Sequence, residues 1–280
     1  MPRPASTAMK NLPMSSSSDQ LYAETTPPMH ASVMVEGLFV VLLISMIAGL
    51  LVYQRGYFSW SWDAINHHVY LGYIAESPRW HLDLTAAASQ SYQYPYLYWP
   101  AYRISLLDGH GATYATLWAG VQAALLAAPL WLLSYRLLPS GASASVAVQR
   151  VERFAAVLVG MSSAPVLAAI GTTANDALAA VPVVWAAALG VGRPNQLRLP
   201  MLGAALLGVG IAFKLSNVIY LPMLLSFAWT SSFAATVRRC VLTGASMIAG
   251  FTLAYLPWGW QLWLHMGNPV YPYLQGVFRQ

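Results

Sequence analysis

The fold this sequence predicts is an all-α, polytopic transmembrane helix bundle of about seven spans with a large first extracytoplasmic loop, and three observations predict it. Apolar residues make up 58% of the 280 residues and charged residues only 8%, against roughly a quarter charged in soluble domains. The apolar residues fall in runs too long and continuous for barrel strands of about ten residues, and in hydrocarbon each backbone N–H and C=O needs a partner within its own segment, so the runs are helices. The polar residues that remain concentrate in one block, 59–103, which carries Asp63, Glu76, Asp83, His67, His68, His81 and a dense set of Tyr and Trp in a chain with nine acids and six histidines.

Residues 1–31 are rich in Ser, Thr, Pro and Met and show no apolar period, which predicts a disordered tail. A secretory leader is excluded because the apolar run starts late, is too long for an h-region and has no small-residue cleavage site at 51–55. The first span is 32–53, with Glu36 near its start, where a helix N-terminus and the headgroups soften the cost of a carboxylate. The outer loop, 54–111, comes next. Further spans are expected at 112–137, 154–170, 177–192, 199–213, 218–229 and 241–258, the fourth to sixth short enough to be tilted or partly buried. Residues 32–258 thus form the membrane domain, and 259–280 open a further extracytoplasmic segment that the sequence leads one to expect is truncated.

The net charge of +5 is spread singly between apolar runs, which argues for membrane orientation and against nucleic acid. With the tail inside, the inner segments carry Arg3, Lys10, Arg136, Arg150, Arg153, Arg193, Arg198, Arg238 and Arg239. The outer ones carry Arg55, Arg79, Arg103, Lys214 and Arg279. This bias puts the amino terminus in the cytoplasm. It also gathers the polar turns 171–176, 214–217 and 267–273 on the outer face with the 59–103 block. Chemistry is therefore expected outside. The single Cys240 excludes an internal disulfide and a Cys-based metal site.

On a helix, Asp63, His67 and Tyr70 lie at i, i+4 and i+7 and share a face, with Asn66 beside them and Trp60 and Trp62 at headgroup depth. Asp63 reads either as a carboxylate presented at the membrane surface or as a helix N-cap. His67 and His68 read as packing groups or as ligands. A metal held by Asp63, His67 and an acid such as Asp83 matches no specific spacing, so no metal is assigned and a divalent cofactor has no support in the sequence. Tyr92, Tyr94, Tyr96, Tyr98 and Tyr102, interrupted by Pro95 and Pro100, form either an interfacial belt or a wall on which a sugar ring stacks. Asn175 and Asp176 read as helix caps or as site residues. Lys214 closes an apolar span with no acid near in sequence, so it either snorkels or meets a phosphate. Walker, dinucleotide, Gly-x-Ser-x-Gly and His-Glu-x-x-His motifs are absent, which excludes a nucleotide-driven pump and a zinc peptidase of those types.

Trp-Asp-Ala-Ile-Asn-His-His (62–68), the Tyr/Pro-rich loop, Thr-Ala-Asn-Asp-Ala-Leu (173–178), Lys-Leu-Ser-Asn (214–217) and Gly-Asn-Pro-Val-Tyr-Pro-Tyr (267–273), in this order and on one side, resemble the GT-C fold bacterial membrane glycosyltransferases over roughly residues 33–280. The resemblance implies transfer of a sugar from a polyprenyl-phosphate donor to a lipid or glycan acceptor on the outer face of the plasma membrane, usually with inversion. It implies a catalytic acid in the first outer loop, and Asp63 is the position that matches. Substrate-binding residues are expected among His67, Tyr70, Arg103, Asn175, Asp176, Lys214 and Asn268. The chain is shorter than the family's usual members. A transporter or flippase for a lipid-linked glycan would share the topology without needing Asp63, and a non-catalytic assembly subunit would need neither Asp63 nor Lys214.

Overall fold

A computed structural model of the chain describes residues 31–56, 61–83, 86–107, 111–138, 145–191 and 196–278. The expected tail up to residue 30, Trp60 and the cations Arg3, Lys10, Arg193 and Arg279 lie outside the described residues. The described residues form helices and turns without a strand. Helices α1 (Ala31–Arg55), α4 (Gly111–Leu137) and α10 (Phe233–Met266) are long and apolar enough to cross a membrane. Helices α7 (Asp176–Gly190) and α8 (Arg198–Phe213) are apolar but shorter.

The remaining expected spans differ from single helices, and proline chemistry explains how. Residues 154–170 divide between α5 (Val146–Met161), capped by Ser145 accepting from the Val148 N–H at 3.3 Å, and α6 (Ala164–Ala169). Pro165, in the first turn of α6, has no N–H to bond the Met161 carbonyl, and the chain turns between the two helices at Ser162 and Ser163. Residues 218–229 divide between a 3₁₀ stretch, Leu215–Tyr220, and α9 (Met223–Ala228), with Pro222 at the junction. This broken segment lies along α7: Lys214 pairs with Asp176 at the start of α7, and Phe227 packs on Gly190 at its end. The last span is longer than expected. It ends at Gly267, whose φ of +65° and N–H bond to the Trp263 carbonyl form a left-handed C-cap.

Three apolar clusters hold the bundle together. One joins α1, α4, α5 and α7 through Val40, Ile44, Trp118, Leu126, Val157 and Leu178. A second joins α7, α8 and α9 through Val183, Leu207 and Phe227. The third ties the loop to α10: Leu71, Tyr92 and Tyr98 pack with Tyr255, Trp258 and Leu262. Between α8 and α10 the backbones touch. A Cβ on Gly208 would overlap the Met247 carbonyl oxygen, and one on Gly250 would overlap that of Ala205. Small residues allow this approach where water exclusion supplies no drive between helices.

The polar loop is also largely built. A π-helical turn, Ala64–His68, runs into α2 (Val69–Ile74); a 3₁₀ turn, Ala88–Tyr92, and α3 (Trp99–Ser105) come after it, and α11 (Gln275–Phe278) lies near the carboxyl end. The aromatics do not form a simple belt. Trp80 stacks on His265 at 4.7 Å between centroids, Tyr94 packs on Phe213 and Tyr255, and the Trp258 indole donates to the Tyr92 carbonyl at 3.0 Å.

Candidate functional site

The site is built on three turns that meet at one end of the bundle. The first is 170–175. Gln122, in the middle of α4 and fully buried, accepts from the Gly171 N–H at 2.8 Å, and Trp118 one turn earlier donates to the Thr172 carbonyl at 3.0 Å. Gly171 has φ +74° and lies against Val52, where a side chain would collide. This turn fixes Thr173, Asn175 and Asp176. Asp176 opens α7, and its carboxylate pairs with Lys214, the residue that leaves α8 in extended conformation. Thirty-eight residues apart in sequence, the two charges meet because α7 and α8 pack antiparallel.

The second is the π-helical turn. His68 Nδ1 is 2.8 Å from the Thr173 hydroxyl, joining loop to bundle. His67 and His68 are both buried, with ring centroids 4.4 Å apart, and the Tyr98 ring lies 4.9 Å from His68. Burial pushes the His68 imidazole down to about 4, against the opposing pull of Asp63 and Asp176. Burial also lowers His67. Both rings are therefore neutral at pH 7.

Asp63 stands at the edge of this cluster, its side chain 56% exposed and 3.8 Å from Nδ1 of His67. That nitrogen is buried without a hydrogen-bond partner among the described residues. Asp63 makes no capping bond; Ser61 caps the turn instead, accepting from the Ala64 N–H at 3.0 Å. The N-cap alternative for Asp63 is thereby answered. Asp63 and Asp176 pull the His68 value up and Lys214 pushes it down, each by less than burial does.

The third turn is 267–273. Asn268 is buried, donating to the Tyr273 carbonyl at 2.7 Å and accepting from the Val270 N–H at 2.9 Å, so its amide is spent on folding the turn. The turn delivers Tyr271 and Tyr273 to a cavity of about 160 Å³, where Tyr94, Asn175, Lys214 and Tyr255 are further walls. Asn175 is buried and makes no capping bond to α7. Burial pushes Tyr94, in the loop, up to about 12, so it stays a neutral hydroxyl. Aromatic faces with a cation and an amide suit a polar ring that carries negative charge.

Two expected residues sit elsewhere. Tyr70 reaches the Asp83 carbonyl at 3.4 Å instead of sharing a face with Asp63, because the i→i+5 turn of the π segment inserts a residue and rotates α2 relative to Asp63. Arg103 pairs with Glu76 at 3.3 Å, and Trp99 donates to the same carboxylate, on the exposed side of the loop. Tyr98, read from the sequence as part of a belt or a sugar wall, packs on His68 instead, and sequence reasoning missed Tyr255 and Gln122. Only Gln122 left a signal, as a lone amide within an apolar span. No cluster of three metal-ligating acids, cysteines or histidines occurs among the described residues. Neither family models nor curated proteins nor solved structures match the chain.

Proposed function

We propose that the chain is a plasma-membrane glycosyltransferase of bacterial type, with seven crossings, a cytoplasmic amino terminus and an extracytoplasmic site, moving a sugar from a polyprenyl-phosphate donor to a lipid or glycan acceptor. The observation that carries this reading is the placement of an exposed carboxylate, Asp63, at the same end of the bundle as a tyrosine-lined cavity holding Lys214 and Asn175. Two broken segments, α5–α6 and 215–228, support the seven crossings alongside the five apolar helices.

In this mechanism the donor's phosphate sits against the Lys214 ammonium, a point charge on a flexible stem. Its sugar lies on the tyrosine faces. The acceptor hydroxyl approaches the anomeric carbon from the opposite side and loses its proton to Asp63 as the new C–O bond forms. The bond from the anomeric carbon to the phosphate oxygen breaks, and polyprenyl phosphate leaves with the electron pair. His67, held neutral by burial, lies 3.8 Å from the carboxylate without bonding it, so Asp63 stays free to take the proton.

The test is release of polyprenyl phosphate from a labelled lipid-linked sugar by purified, solubilised protein. Asp63→Asn keeps the shape and cannot take the proton, so turnover falls about 10²- to 10⁴-fold with donor binding retained. Turnover above half of the unmodified protein's in Asp63→Asn, with Asp176→Asn or Asp83→Asn inactive, moves the base to another carboxylate. Absence of any release removes the transferase reading.

A further inference from the structure

At the opposite end of the bundle, Glu36 lies between two arginines of α5. Arg153, buried, grips both of its carboxylate oxygens at 2.7 and 2.8 Å, and Arg150, half-exposed, approaches at 3.4 Å. One anion thus faces two cations. Since Arg153 alone satisfies the carboxylate in bidentate fashion, the charge of Arg150 is surplus. Glu152, the one acid on α5, is two positions from Arg150 and so does not share its face.

A groove of about 510 Å³ leads from Arg150 between α1 and α5, walled by Val35, Phe39, Leu43, Val151 and Phe154. Val35, Phe39 and Val151 are each about two-thirds exposed. With 25 residues, α1 is about 38 Å long at 1.5 Å per residue, some 8 Å more than a hydrocarbon core of about 30 Å. Glu36 is the sixth residue of that helix, about 8 Å from its start, which matches the length by which α1 exceeds the hydrocarbon core and suits Arg150 to the headgroup boundary.

We infer that this groove is a binding site for an anionic phospholipid, its phosphodiester on the Arg150 guanidinium and one acyl chain along the α1–α5 groove. A zwitterionic lipid fits less well, because its ammonium would meet the arginines while Glu36 is already taken by Arg153. A free phosphate would leave the apolar walls unused. The site requires only a bilayer around α1 and does not depend on the transferase reading.

The experiment is native mass spectrometry of the full chain released from micelles containing equal amounts of phosphatidylglycerol and phosphatidylcholine with matched chains. Phosphatidylglycerol adducts are expected to exceed phosphatidylcholine adducts about five-fold, the scale of one cation at a membrane surface. Arg150→Gln is expected to bring the ratio to about one, and Arg150→Lys to keep most of the preference, while glycerol 3-phosphate displaces neither lipid. Equal adducts in the unmodified protein, an unchanged ratio in Arg150→Gln, or displacement of the lipid by glycerol 3-phosphate each overturns the site.

Discussion

Each charged or polar residue at the candidate site has its state set by what packs on it. His68 is held near 4, below the ordinary histidine value of 6.5, and His67 is lowered in the same direction, chiefly by burial. A histidine depressed in the folded state leaves stability intact above its unfolded value and removes it as pH falls from about 6.5 toward 4, because the unfolded chain takes the proton first. The protein in detergent is therefore expected to lose about 2 kcal/mol of stability between pH 7 and pH 5, and so to melt at progressively lower temperature. His68→Gln, which retains a partner for Thr173, should show a shallower decline. An equally steep decline in the variant would place the acid sensitivity elsewhere. Lys214→Met is expected to weaken donor binding while the fold persists, since methionine keeps most of the stem and the Asp176 carboxylate it releases is more than half exposed. An unchanged apparent donor affinity in a titration of the Met variant returns Lys214 to a structural partner of Asp176.

Among the elements, the α8–α10 contact is the tightest. At Gly208 and Gly250 the neighbouring atoms are backbone and cannot rotate away, so Gly250→Ala must separate two helices and costs about 1–3 kcal/mol. Gly244 on the same helix has open space, and Gly244→Ala is expected to be tolerated or slightly stabilising. Thermal unfolding of the two variants side by side checks the contrast; equal melting temperatures contradict it. Gln122 acts between elements. Replacing it with Leu leaves the Gly171 N–H unpaired in an apolar setting, a loss of about 1–3 kcal/mol. The Thr173 and Asn175 turn should loosen with it.

For the molecule as a whole, the proposed orientation makes a labelling pattern. Ser89 and Ala147 are exposed at the two ends, and Cys240 is the lone native thiol. In a Cys240→Ser background, Cys at 89 is expected to react with an impermeant reagent on intact spheroplasts and Cys at 147 only after permeabilisation. The reverse pattern would turn the bundle over and put Asp63 and Lys214 in the cytoplasm.

The helical class and the apolar stretches of α1, α4, α7 and α8 are determined by sequence alone, because hydrocarbon forces each segment to satisfy its own backbone and the apolar runs mark where this happens. Asp63, Asn175 and Lys214 were also legible as polar residues at the ends of apolar runs. What tertiary structure decided is which of them meet. The Asp176–Lys214 pair depends on antiparallel packing of α7 and α8, a contact between residues distant in the chain. Tyr70 leaves the Asp63 face because a π turn changes the register, and the i+4, i+7 pattern of an α-helix carries no trace of that turn. Tyr255 joins the cavity from inside a span whose sequence reads as lipid-facing, since only packing against the folded loop separates a buried aromatic from a lipid-exposed one.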